Sequence, residues 1–514
     1  MTDFVFNGYK NFNALKFKSE NNIYIYETCS NNICLINNVV SDIIDDYLVL
    51  TKEEILSKYS SKFKIREIES AINEIDKNFS SGIFSNFKFD RMSLGNNKST
   101  IEKVSEKTSC YLTQLVFNVT ESCNFRCKYC IYSGSYEKRR SHNNRNNMTW
   151  DLSKKTIDLF INSSKYQAER YLSFYGGEAL LNFPLIEKSI CYASSIDDKI
   201  VFYITSNGSL LNERIIDFFA KFNVKLTISV DGPEKIHDKN RIDINGNPTH
   251  ALVMRNIDMI REKYPEYYKN NIKINAVLTP FEGNYNELSD FFIDKLPFLK
   301  KSHKFNLGVV NSSTNDYVKN ENYSEFFNKF RKHAIEKFRH HYSGTKSNIL
   351  VEQKLLDKQI KQIHYRVHKS MRNYSYFWPN GICIPGMRSA FVSSNGLLFP
   401  CEKLYDYQDM CIGSVNNGIN NEKIAKYIDE YCEIMENQCS NCWAFRLCGE
   451  CFLSIRNNGK FDFKKRIQQC NIIKRVTAEA LTLYTNIREV KADAFDEIEN
   501  DIVPENFYKA MFED

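Results

Sequence analysis

The chain has 514 residues and a mass of 60.2 kDa, with 42% hydrophobic and 14% aromatic residues. That composition supports about three domains with real cores and excludes a disordered chain. A net charge of +6 is too diffuse at this length to argue for nucleic acid, and neither a signal-type N-terminus nor a run of 18 apolar residues points to a membrane. The reading is a cytoplasmic protein with neither nucleic acid nor membrane as partner. In that compartment sixteen cysteines indicate metal or cluster ligation rather than disulfides.

Residues 1–95 read as one small module. NIYIYET and NICLIN alternate as a β-hairpin. Thr51 precedes Glu54 by three positions, a capping box at the head of LTKEEILSKY. IREIESAINEID then places Ile65, Ile68, Ile72 and Ile75 at helical spacing, with a wing strand after it. Hairpin, two helices and wing make a winged-helix module. A DNA-reading version needs clustered Lys and Arg on its second helix, and this helix is near neutral. The polar stretch 96–111 reads as a linker.

From residue 112 strand and helix patterns alternate. Apolar runs recur at Leu112–Val119, Tyr171–Tyr175, Ile200–Thr205, Lys225–Val230, Lys273–Leu278 and Phe305–Val310. Six strands with crossover helices predict an α/β fold, a partial (β/α)6 TIM-like barrel over 112–345 with its chemistry at the carboxyl ends of the strands. The motifs fall there. After the first strand, TESCNFRCKYCI sets Cys123, Cys127 and Cys130 in a C-x3-C-x2-C array. Three thiolates on one short loop can hold three corners of a 4Fe-4S cluster and leave the fourth iron open; a zinc site usually shows paired C-x2-C elements. After the second strand, YGGEALL offers Gly176 and Gly177, where backbone can approach a ligand closely, and the Glu178 carboxylate. Ser206 and Asn207 follow the third strand; Ser229, Asp231 and Arg241 follow the fourth. His237, in the same turn, reads as solvated. The basic run from Glu137 to Asn147 reads as a solvated loop, or as a contact for an acidic peptide. Two helices, Tyr323–His341 and Lys346–Arg372, lead across a bridge (346–382) to the last region.

That region (383–475) is a cysteine field: Cys383 and Cys401, then Cys439, Cys442, Cys448 and Cys451, then Cys470. RSAFVSSNGLLFPC reads as a hairpin turning at Asn395-Gly396, which brings Cys383 toward Cys401. A zinc ribbon explains CSNC and CGEC taken alone, but seven cysteines exceed one zinc site. The remaining residues, 476–514, read as a C-terminal helix and tail. The scattered cysteines Cys29, Cys34, Cys110, Cys191, Cys411 and Cys432 read as ordinary packing.

CNFRCKYC resembles the cluster motif of radical S-adenosylmethionine (radical SAM) enzymes, with Tyr129 as the aromatic before the last cysteine. The resemblance runs from about residue 112 to 475. It implies that SAM takes the open iron and is cleaved to a deoxyadenosyl radical, and that Tyr129, Gly176, Gly177, Glu178, Ser206, Asn207, Ser229, Asp231 and Arg241 bind SAM: Glu178 its amino group, Arg241 its carboxylate. The cysteine field resembles the SPASM extension of radical SAM peptide maturases, which implies three 4Fe-4S clusters in all. By that likeness Cys439, Cys442, Cys448 and Cys470 hold one auxiliary cluster, and Cys383, Cys401 and Cys451 the other. The x2 gap between Cys448 and Cys451 departs from the usual x3. No cysteine stands in YSYFWPNGI to complete the second set, so an iron is left for a substrate thiolate, unless Cys411 completes it. Glu402 matches an acidic residue that serves as a base in the sulfatase-maturating branch. The N-terminal module resembles the leader-recognition element of such maturases, in which a leader peptide adds a strand to the hairpin edge. The implied activity is a thioether crosslink in a ribosomally made, cysteine-containing precursor peptide, with flavodoxin or ferredoxin as electron donor. Formylglycine formation, carbon–carbon crosslinking and epimerisation stand as alternatives, with a winged-helix regulator that senses through iron–sulfur or zinc as a different class.

Overall fold

The computed structural model describes residues 13–47, 49–84, 91–94, 99–133, 140–300, 302–310, 322–368, 376–378, 384–451, 456–457 and 460–498. Its N-terminal sheet has three antiparallel strands, β1 (Ala14–Lys18), β2 (Ile23–Glu27) and β3 (Asn32–Ile36), in that order. Side chains alternate across the pleat, and both faces are used. Ala14, Ile25 and Ile36 pack with helices α1 (Asn38–Tyr47), α2 (Lys52–Tyr59) and α3 (Ile65–Ser80). Leu15, Phe17 and Tyr26 face the other way, into a core with Trp443, Leu481 and Tyr484.

The expected hairpin and two helices are therefore three strands and three helices. The Thr51–Glu54 capping box forms in both directions, and α3 buries Ile68, Ile72 and Ile75, whereas Ile65 is exposed. Of the stretch after α3 where the wing strand is expected, residues 85–90 lie outside the described residues; beyond it β4 (Arg91–Met92) pairs in parallel with Tyr376–Phe377. The stretch expected as a linker carries helix α4 (Thr100–Cys110). It is capped by Ser99 and Glu102, and it buries Val104 and Thr108.

The six expected parallel strands are β5 (Gln114–Thr120), β6 (Arg170–Gly176), β7 (Ile200–Ser206), β8 (Lys225–Ser229), β9 (Ile272–Leu278) and β10 (Phe305–Val309). Each pairs in parallel with the one before it. Helices α5 (Trp150–Ser163), α6 (Phe183–Ile196), α7 (Glu213–Lys221), α8 (Glu234–Asn240), α9 (His250–Lys263), α10 (Pro265–Asn271) and α11 (Asn286–Lys295) make the crossovers. The strands are apolar because both faces are covered. Ten strands share this mixed sheet. After β11 (Tyr376–Phe377), β12 (Ser389–Val392) pairs with the free side of β5 and turns back through Gly396, at φ +86°, into β13 (Leu397–Phe399). Strands β14 (Gly413–Ser414) and β15 (Gly418–Ile419) complete the edge. The expected hairpin thus forms and extends the parallel sheet; Cys383 lies outside the described residues.

Helices α12 (Tyr323–Tyr342) and α13 (Leu350–His364) bridge to α14 (Asn421–Ser440) and α15 (Phe463–Val490). The boundary expected at 475/476 falls inside α15, a single 28-residue helix. Among the described residues no helix is long and apolar enough to cross a membrane.

Candidate functional site

The loop carrying Cys123, Cys127 and Cys130 leaves the carboxyl end of β5 and is pinned from three sides. The Phe125 and Tyr132 amides donate to the Cys123 and Cys130 sulfurs at 3.3 and 3.4 Å. The Arg126 and Lys128 amides donate to the carbonyls of Ile242 and Asn240. The Gly177 and Glu178 amides donate to those of Thr120 and Ser122, each at 2.9 Å. This last contact explains the glycine pair. A Cβ on Gly176 would stand 2.1 Å from Thr120 O, and one on Gly177 would stand 2.3 Å from Ser122 O. The close approach expected toward a ligand is made to the cysteine loop itself.

Glu178 is buried and caps the turn after β6. Its Oε1 accepts from the Leu180 amide and Ser206 Oγ, and its Oε2 accepts from the Asn207 amide at 2.6 Å. Burial still pushes its carboxyl above the ordinary range. Asn207 also donates to Asn124, which ties the end of β7 to the cysteine loop. Beyond β8, Asp231 accepts from Tyr129 Oη at 2.5 Å and from the Val277 amide at 3.0 Å. Arg241 donates to the same tyrosine oxygen at 2.9 Å. Burial opposes the Arg241 cation, but Cys127, Tyr129 and Asp231 hold it charged, and its enclosed Nε has no partner among the described residues. His237, expected as solvated, is fully buried: it accepts from the Asp231 amide and meets Thr249 Oγ1 at 3.2 Å. Ser229 ends β8, buried, opposite Asn275.

Burial pushes the thiols of Cys123 and Cys127 up to about 12 and raises Cys130, whereas Arg241, Arg140 and Arg126 pull Cys130 back. Among the described residues no three His, Cys, Asp or Glu side chains converge tightly enough for one metal ion. Three mutually interacting thiols ringed by arginines fit a larger anionic group held through sulfur, such as a 4Fe-4S cluster. The partnerless Arg241 Nε fits a carboxylate.

The run expected as a solvated loop is corrected at Arg140 and His142, both buried. Arg140 donates from Nε and Nη2 to both carboxylate oxygens of Asp406, at 2.8 and 2.6 Å. Its guanidinium lies over the rings of Tyr132 and Tyr405. Sequence reasoning passed over Asp406, because 266 residues separate the partners. Glu402 opens the short turn Glu402–Leu404. Burial pushes the Tyr175 phenol up to about 12, and the nearby charges of Glu402, Cys130 and Asp406 add to that rise.

A second set of thiols gathers in the C-terminal region. Cys439 ends α14, Cys442 and Cys448 follow it, and Cys470 projects from α15. Burial pushes Cys442 up to about 11 and raises Cys470, and the thiols add to each other's shifts. The donor set suits a four-thiolate cluster. Arg466, which sequence reasoning also passed over, is enclosed among them. Cys401 and Cys451 are partly buried. Cys411 donates its thiol to Gly413 O at 3.2 Å and lines an open groove of about 740 Å³ away from the cysteine loop. Of the scattered cysteines, Cys29 and Cys432 are buried, but Cys191 is exposed.

Residues 117–287 match the Radical SAM superfamily model. The chain is 23% identical over 441 residues to the radical SAM cyclopropyl synthase TigE of Paramaledivibacter caminithermalis, covering 81% of this chain and 87% of that protein. It is 24% identical over 354 residues to a cysteine-type anaerobic sulfatase-maturating enzyme of Clostridium perfringens, covering 66% and 87%. Among solved structures, anSMEcpe with bound AdoMet and Kp18Cys peptide superposes with a TM-score of 0.50 at 18% identity, over 73% of this chain and 99% of that one. That likeness is one of fold.

Proposed function

Starting from a chain whose residues 117–287 belong to the radical SAM superfamily, we propose that it is a peptide maturase that joins a cysteine sulfur to a carbon of a ribosomally made precursor. The observation that carries this reading is the pairing of two thiol sets in one molecule. One is Cys123, Cys127 and Cys130 at the carboxyl end of β5; the other is Cys439, Cys442, Cys448 and Cys470 around α15. When bound, the first cluster and SAM supply a 5′-deoxyadenosyl radical. The chain's own residues bind and orient. Arg241 offers its free Nε to the SAM carboxylate, Glu178 offers Oε2 to its amino group, and Tyr129 and Asp231 fix the arginine. Ser206, Asn207, Gly176 and Gly177 hold the loop that carries these groups.

Joining S–H and C–H as a C–S bond removes one hydrogen atom, one proton and one electron. Glu402 would take the proton; bound SAM would supply the acceptor for the hydrogen atom, and clusters held by the later cysteines would supply one for the electron. Cys401 and Cys451, with Cys383, would hold the second auxiliary cluster. The N-terminal sheet would receive the leader, and a flavodoxin or ferredoxin would supply the reducing electron. Anaerobic reconstitution tests the reading. About twelve iron atoms per chain, 5′-deoxyadenosine release, and a precursor that loses two hydrogens together with one alkylatable thiol are expected. Stoichiometric zinc without SAM cleavage would overturn it.

A second reading, carbon–carbon closure, is favoured by the near full-length match to a cyclopropyl synthase. It gives the same loss of two hydrogens with every thiol still alkylatable.

A further inference from the structure

Arg466 stands one helical turn before Cys470 on α15 and is 1% exposed. Burying a guanidinium is costly unless partners compensate it. Its Nη2 donates to Tyr431 Oη at 3.1 Å, and its Cζ lies 5.8 Å from that ring. Its Nε and Nη1 are enclosed and meet no acceptor among the described residues. Around them stand Tyr431, Cys448, Cys470 and Cys439, which keep the cation charged against the pull of burial. Two enclosed donors beside these thiols lack an acceptor, and cluster sulfur would be one.

We propose that Arg466 is the positioning residue of the cluster held by Cys439, Cys442, Cys448 and Cys470, its Nε and Nη1 donating to cluster sulfur and its charge raising that cluster's reduction potential. The inference rests on the reading that this quartet holds iron and sulfur. Reduction adds one negative charge to the cluster. A fixed cation in a low-dielectric interior stabilises that added charge, and hydrogen bonds to sulfur act in the same direction. Tyr431, on α14, holds the guanidinium's third corner and fixes its direction.

The test is a potentiometric titration of the reconstituted full chain, followed by electron paramagnetic resonance. The quartet's signal is the one that Cys470→Ala removes. In R466Q the midpoint should fall by at least about 59 mV, a tenfold change in the one-electron equilibrium. R466K, which keeps the charge, should fall less. An R466Q protein that retains its iron and its midpoint overturns the proposal. Should R466Q shed the quartet's iron, R466K decides. A midpoint near the parent value supports the charge role, and a folded R466K chain without the signal overturns it. A parent chain that takes up no iron at the quartet overturns the cluster reading instead, a different failure.

Discussion

Gly177 has no room for a methyl group. A Cβ there would meet Ser122 O at 2.3 Å and Glu121 O at 2.5 Å, both backbone atoms. G177A must therefore push the cysteine loop outward, at a cost of about 1–3 kcal/mol. We expect it to lose the first cluster's iron and 5′-deoxyadenosine release while the C-terminal clusters remain, as read by iron content. His237 gives a pH signature. Burial lowers its imidazole to about 2, so it stays neutral in the fold. On acidification below its ordinary value of about 6.5 the unfolded chain takes up the proton first. Stability then falls with pH, by at most about 1.4 kcal/mol per unit. In H237Q that slope should be shallower between about pH 6.5 and 5.5, as read from urea midpoints, the other buried histidines keeping the remainder. At this scale the residue types of the site were legible, because cysteines, glycines and carboxylates are few and their spacing is short. Their neighbours were not. That Gly177 faces Ser122, or that His237 bridges Asp231 and Thr249, depends on strands that sequence spacing does not bring together.

The N-terminal module shows the same limit in its elements. Capping boxes at Thr51 and Ser99 are local and can be read directly, although the polar residues around α4 disguised its narrow buried stripe as a linker. The pentapeptide ALKFK of β1 is too short to announce itself. What seats the module is Arg446, in the loop between Cys442 and Cys448. It donates to the carbonyls of Thr28 and Cys29, and to that of Val367 on the bridge. Thr28 Oγ1 donates in return to Trp443 O, and the Tyr26 and Trp443 rings meet edge to face. R446M would take a donor from the buried Thr28 and Cys29 carbonyls, at about 1–3 kcal/mol each, whereas Val367 O keeps the Asn31 side-chain amide. We expect faster proteolysis of the N-terminal module and a KM for precursor peptide raised at least about tenfold, which is about 1.4 kcal/mol. SAM cleavage without peptide should be unchanged. If KM does not move, the module's seat is irrelevant to substrate capture.

Across the whole molecule, the two cysteine regions are joined by the Arg140–Asp406 pair. Arg140 follows the cysteine loop, and Asp406 follows Glu402 on the segment leaving β13. Both side chains are almost fully enclosed. Removing one partner leaves an unpaired buried charge and should cost about 3–5 kcal/mol, whereas replacing both with apolar groups of similar volume is close to neutral. D406N should therefore lower stability by that amount in urea titrations, and R140M/D406L should recover most of it. Function should not follow stability. Glu402 lies four residues before Asp406, and an apolar replacement has no bidentate geometry to fix the register of that segment. We expect the double variant to form at least about tenfold less peptide product per SAM cleaved, a loss of about 1.4 kcal/mol in transition-state stabilisation. Product formation that recovers together with stability would assign the pair to folding alone and leave the alignment of Glu402 to the β12–β13 hairpin.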